Sequence, residues 1–566
     1  MRHSLAFVSL VGLAGLAGCN PNLGLDNTSE SSSGGETAAT TSTSEPPPTT
    51  TFDILCTPGQ ERCADDHVKE VCTATGLAWQ QVPCSQYQTC SETGEPPVAE
   101  CLGPCETVKE TSIGCEFLAI RMRSENAGDD PADDDAIIVG NTDTEKVATV
   151  RLYLTPNYFN EEEPVGNTVT LGPGESYIFR LSNDIMPNYS SFRAGGVYHV
   201  VSDFPVSAYL HSPLANSDSN DASLLLPIKA LGTDYVVHSF PPRVGADPEV
   251  SNGRPSYFNI IATENDTEVE WTPRYDTAGD EIAVFSVKAK QTGKMLLNRM
   301  DVIQIGASSK TNDKYTTHDV SGTIIRANKP IVVMGATSCA NVPTTATESC
   351  NHLQEQILPI KYWGTRYVAA HAPLRGGEKH YWRVYAGASN QQFTVEPAVA
   401  GVPNFSLPEV GAFKDIVMSS GVSTTFKSTK AFMAVQYIAG GEEVTGENFG
   451  DPAMYQTIPV DQYLDRYVFV TGANYSKNYV QVIRRNKAAD VFIDGVAVEG
   501  WYNINATGDL NVQVADVDLG PTGDAGVHLA ESEDPFGINV IGYVTRSAYA
   551  YPGGMALKVL NPEGGG

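Results

Sequence analysis

Eleven cysteines are the residues of this 566-residue chain whose type and spacing speak most directly of chemistry. Cys19 stands alone at the end of an apolar run. Cys56, Cys63, Cys72, Cys84, Cys90, Cys101, Cys105 and Cys115 crowd together, and Cys339 and Cys350 form a separate pair. Zinc sites favour close Cys-x2-Cys pairs, whereas the tightest spacing here is Cys101-x3-Cys105. An even set of cysteines in an exported chain reads instead as a disulfide framework. Residues 54–105 hold few aliphatic side chains, and so small a core needs covalent staples. The spacing predicts three bridges among the six cysteines from Cys56 to Cys101, with their pairing left open. Cys105 with Cys115 would tie that module to the rest, and Cys339 with Cys350 would close a local loop.

The other reactive side chains form no recognised catalytic motif. The sequence has no His-Glu-x-x-His, no phosphate-binding glycine loop and no Gly-x-Ser-x-Gly elbow. His211, His238, His352, His371 and His528 are scattered; His238 and His371 each follow a Tyr-Val pair, which suggests a repeated packing position. No enzyme is expected. The run "DDPADDD" offers Asp129, Asp130, Asp133, Asp134 and Asp135 as calcium ligands, but it lacks the EF-hand spacing and its glycine, and most such runs are solvated loops. Calcium is the one cofactor the sequence admits. Tyr549 and Tyr551 alternate and so share one strand face, where they could stack on a sugar or pack inside. The net charge of −30 argues against nucleic acid, whose phosphates need basic patches.

The ends of the chain place these groups. An apolar run from Leu5 to Leu16, after Arg2, is too short to span a bilayer and has the layout of a signal peptide. Leu-Ala-Gly-Cys at 16–19 resembles a bacterial lipobox. That resemblance implies removal of residues 1–18 and lipidation of Cys19, with several acyl chains giving firm membrane anchorage. Asn20 is not the aspartate linked to inner-membrane retention, so the expected address is the outer membrane or cell surface of a bacterial envelope. Residues 19–53 are rich in Ser, Thr and Pro and read as a disordered tether. The cysteine-rich module spans 54–105, a β-repeat body spans 113–556 and a tail spans 557–566.

Within the body one phrase recurs: "LPIKALGTDYV" at 226–236, "LPIKYWGTRYV" at 358–368 and, more loosely, "IPVDQYLDRYV" at 458–468. Pro227, Pro359 and Pro459 each precede a Tyr-Val pair at the same offset. Short runs rich in Val, Ile, Thr, Tyr and Phe alternate with Asn/Asp turns, which predicts strands and no long helix. A second phrase carries Pro205, Pro330 and Pro535, with Ala431 in the equivalent place of the third copy. Proline donates no amide to a ladder, so each is expected at a hairpin corner. The fold class is therefore all-β, with about four units near 115–215, 227–337, 359–440 and 459–547. Units of roughly a hundred residues and about seven strands suggest tandem immunoglobulin-like sandwiches, and a single propeller-like ring is the alternative.

The stretches 338–373, 451–483, 490–498 and 526–554, with "GCEFLAI" at 114–120 as a starting motif, together resemble the IgGFc-binding protein N-terminal domain family. One departure is Ala548, which separates Ser547 from Tyr549 where the family usually joins Ser to Tyr. The resemblance implies a non-catalytic binding or adhesion ectodomain for an extracellular protein or glycan, and brings no catalytic residues. It does not imply an antibody ligand. A self-associating envelope or matrix component is the alternative, and a secreted hydrolase a more distant one.

Overall fold

The β-branched and aromatic runs of the body form antiparallel strands throughout, and among the described residues the α-helix is a single turn at Pro104–Thr107. The computed structural model describes residues 54–562 except 85–87, 95, 109–110, 125–134, 215–218, 244–254, 281, 313, 345–346, 348, 445–448 and 522–525. The small module is held by Cys56–Cys72, Cys63–Cys90 and Cys84–Cys101. Cys105–Cys115 joins it to the body, and Cys339–Cys350 closes its loop.

One pairing scheme recurs along the body. Lead strands begin at Gly114, Gly232, Arg366 and Leu464. Long bridging strands, Val197–Ser212, Ile324–Ala340 and Val527–Val544, pair with the lead strand through their first half and with a fully or largely buried strand through their second. Each thus joins two sets of strands into one seven- or eight-stranded sheet. An exit strand then adds to the second half: Asp221–Leu224, Asn351–Gln356, Ala453–Gln456 or Ser547–Pro552.

Here the structure corrects the expected hairpin corners. Pro205, Pro330 and Pro535 lie inside continuous strands. Residues 202–205 oppose Cys115 alone, 327–330 oppose Thr233 alone, and 532–535 oppose Asp465 alone. The chain loops out of the ladder there and passes from one partner strand to the next within its sheet, so the missing proline amide leaves no ladder bond unmade. In the third copy the strand breaks into Thr424–Lys427 and Phe432–Ile438 around Ala431.

The repeated phrase now has a physical meaning. After each proline comes a single 3-10 turn: Ile228–Ala230, Ile360–Tyr362 and Val460–Gln462. The prolines face glycines of the preceding stretch. A Cβ on Gly114, Gly232 or Gly364 would lie 2.3, 2.7 or 2.4 Å from Cβ of Pro227, Pro359 or Pro459. The conserved-offset tyrosines tie the crossing point: Tyr235 Oη accepts the Gly232 amide at 2.9 Å and donates to the Ile331 carbonyl at 2.6 Å. Tyr467 repeats both bonds with Leu464 and Phe536, and Tyr367 accepts the Gly364 amide at 3.1 Å. A Gly364→Ala chain should therefore lose about 1–3 kcal/mol through overpacking; a urea midpoint equal to the parent's would contradict the contact.

The strands that pair with the second half of each bridging strand are buried largely on both faces. In Asp135–Asn141, Ile137 and Val139 join one apolar cluster while Ala136 and Ile138 join another that contains Phe469, Val480 and Ile538. First and last sheets therefore share a core. The two ends of the body also meet: Thr111 bridges Ala556, and the Ser112 amide donates to the Met555 carbonyl at 3.0 Å.

Candidate functional site

The four exit strands touch in cyclic order and enclose a polar hub. The Asp221 carboxylate accepts amides of Ala222 at 2.9 Å, Gln354 at 3.2 Å, Met454 at 3.0 Å and Ala550 at 3.4 Å, one from each exit strand. Glu355 beside it accepts Ser223 Oγ at 3.1 Å and Nε2 of Gln456 at 3.3 Å. Both acids are fully buried, and burial pushes both well above the usual carboxylate range, Glu355 further through the charge of Asp221. No solvent reaches this hub, so it holds strands together and does no chemistry on a ligand.

The histidines divide in the same way. Desolvation lowers buried His211 and His238 to about 3 and His352 to about 4. His238 lies against the rings of Tyr385 and Trp363, and His371 stacks on Tyr502. Both rings pack against aromatic neighbours.

Tyr549 and Tyr551 do share a face, and that face is inside. Both are fully buried, packed on Tyr209, Tyr475 and each other, so neither can offer a ring to a sugar. Tyr209 and His211 of the bridging strand Val197–Ser212, with Tyr475, cover them, which alternation alone could not reveal. Asp135 is likewise unavailable to calcium. It is buried, accepts the Met122 amide at 2.9 Å and Ser212 Oγ at 3.0 Å, and lies 3.9 Å from Arg121 Nε. Asp129, Asp130, Asp133, Asp134 and Cys19 lie outside the described residues. Among the described residues no group of three His, Cys, Asp or Glu side chains is arranged to hold a metal ion.

Two of the concavities among the described residues bear on a candidate site. One, of about 390 Å³, lies where the Cys105–Cys115 link meets the connector turns; Ile113, Ile228, Tyr362 and Leu557 line it with Lys229 and Lys361. Both ammonium groups there already bond carbonyls, of Cys105 and Leu231. The other, of about 350 Å³, is a cleft along the seam of the first and last sheets. Its seam is fixed by Tyr209 Oη, which donates to the Gly553 carbonyl at 2.9 Å, and by Val470 beside Gly140.

This seam cleft gathers the accessible polar chemistry. His528 Nδ1 is 2.7 Å from Asp494 Oδ2, and Asp494 Oδ1 accepts the Leu529 amide at 2.9 Å. Asp494 and Gly495, with φ of 51° and 78°, form the two-residue turn that "DG" favours, and the turn delivers the carboxylate. Thr471 Oγ1 lies 3.5 Å from His528 Nε2, which sketches a Thr-His-Asp relay. The Thr471 side chain is buried and its hydroxyl is shared with the amide and carbonyl of Gly526. It orients His528 and presents no nucleophile. Across the cleft, burial works to raise Asp143, but the amides of Glu145 and Lys146, with help from Lys146 and Arg466, hold it below its ordinary value. The sequence had named only His528 of this group; the Asp-Gly turn was the visible signal for Asp494, while Arg466 and Asp143 had none.

The fold and cleft define an all-β body with a solvent-open polar groove between its first and last sheets. A family model described as IgGFc binding protein matches residues 221–542, more than half of the chain, and the chain belongs to that family. It is also similar to the human IgGFc-binding protein, 26% identical over 408 residues. That match covers 71% of this chain and 7% of the human protein, so the chain spans a small fraction of its relative's length.

Proposed function

We propose that this chain is a non-catalytic extracellular binding body, carried on a lipid at Cys19 and a Ser/Thr-rich tether, that grips a protein or glycan outside a bacterial envelope. Family membership carries the reading, since the human relative is named for binding the Fc part of immunoglobulin G. The five disulfides support an oxidising compartment. The accessible cleft has the size of a ligand site at a junction of sheets, and its hydroxyl is buried away from any substrate. The test presents the full chain to a glycan and mucin array and to immunoglobulin G Fc. Saturable retention on one of them is expected, and retention on none would contradict the reading. Cys19→Ser should move the protein from membrane to soluble fractions; unchanged membrane association would refute the anchor.

One observation favours the second reading, self-association. Ile282 and Phe285 are 85% and 61% exposed on a loop whose Ile282, Ala283 and Val284 amides all bond Asp280 Oδ1 at 2.8 Å. A fixed apolar loop of this kind suits contact with another copy. Concentration-dependent assembly abolished by Ile282→Ser would establish it.

A further inference from the structure

We infer that the seam cleft is a binding site for a neutral saccharide, held between Arg466 and Asp143; the inference rests on the binding reading above and names its site and ligand class. Arg466 is half-buried on the lead strand Leu464–Val470, where its backbone pairs with Glu531, and among the described residues its side chain makes no hydrogen bond and no ion pair. A guanidinium so placed has five donors to offer. Asp143 uses Oδ1 for the amides of Glu145 and Lys146, both at 2.8 Å, which leaves Oδ2 as an acceptor. The second carboxylate, Asp494, is already committed to His528 and the Leu529 amide.

Charge selects the ligand class. Arg466 and Asp143 balance each other, and Asp494 faces His528. With Asp494 held by His528 and the Leu529 amide, an anion would gain Arg466 but meet Asp143, and a cation would gain Asp143 but meet the guanidinium. Either leaves a charge uncompensated as water is displaced. A neutral polyol satisfies both sides, because each hydroxyl can donate to Asp143 and accept from Arg466. Pro173, Val468 and Val527 supply apolar wall for the C–H face of a pyranose ring, and about 350 Å³ is within the range of small-ligand sites.

The experiment titrates the full chain, in detergent, with methyl galactoside, methyl mannoside and methyl N-acetylglucosaminide, and with glucuronate and glucosamine as charged comparators, by calorimetry and saturation-transfer NMR. A neutral glycoside should bind, and both Arg466→Met and Asp143→Asn should weaken it by about tenfold or more, the loss expected for a hydrogen bond to a charged group. Their melting temperatures should match the parent's. Preference for glucuronate or glucosamine, no binding of any neutral glycoside, or binding untouched by either substitution would overturn the assignment. If mucin or Fc retention persists unchanged in Arg466→Met, the cleft assignment falls while the binding reading stands.

Discussion

Replacing Asp221 with alanine should lower the unfolding free energy by about 3–5 kcal/mol, because it strands buried amides that have no alternative partner. Three of those amides belong to exit strands far along the chain, at Gln354, Met454 and Ala550. The loss is therefore of closure and not of one local turn. Asp221→Asn should lose less, since its Oδ1 can still accept the Ala222 and Ala550 amides. Urea denaturation measures both, and a change under about 1 kcal/mol would mean that the hub is incidental.

The same hub sets a pH dependence. Asp221 and Glu355 are raised by burial, so the folded chain keeps protons that the unfolded chain releases above about pH 4. Their contribution is fully present below that pH and is lost as pH rises through the folded values. The buried histidines act oppositely. His211, His238 and His352 are lowered, so the unfolded chain gains protons below about pH 6.5 and stability falls on acidification. Stability should peak between the two limbs. Glu355→Gln should reduce the loss of stability that sets in as pH rises above about 4 and leave the acid limb in place.

The second large effect lies at Arg383, which joins neighbouring stretches of the body. Its guanidinium donates to Asp319 at 2.8 Å, Ser321 at 2.9 Å and the Ser239 carbonyl at 3.2 Å, and pairs Asp415 at 2.6 Å. It also lies over the Phe413 ring at 4.1 Å. Asp319 is fully buried, so Arg383→Met leaves an unpaired interior charge and should cost about 3–5 kcal/mol. Adding Asp319→Asn should recover much of that loss. A double variant no more stable than the single one would show that packing on Phe413, and not the charge, is what Arg383 supplies.

How far the sequence revealed this molecule depends on the range of each signal. Strand character was legible because β-branched and aromatic runs between Asn/Asp turns are local. The "LPI" phrase was legible as a recurring connector, but its meaning is a long-range fit of proline on glycine. Pro205, Pro330 and Pro535 misled because a proline inside a strand usually marks its end; only the pairing shows four-residue excursions against single residues. The pairs Cys105–Cys115 and Cys339–Cys350 were legible from their isolation along the chain, whereas the pairing among Cys56 to Cys101 was not, since loop closure says little about which of six crowded half-cystines meet. Tyr549 and Tyr551 were ambiguous because alternation names a common face without naming what covers it. The hub and the cleft were hidden for one reason: Asp221 and Ala550, or Asp143 and Arg466, meet only once the first and last sheets have come together.

The account turns on that closure, and hydrogen–deuterium exchange of the Gln354, Met454 and Ala550 amides tests it most directly. If the exit strands hold one another around Asp221, all three should open only with global unfolding, with protection agreeing within about 1 kcal/mol. Amides that exchange in separate steps, several kcal/mol apart, would show modules that fold independently along a string, and the shared hub and seam cleft would have to be abandoned.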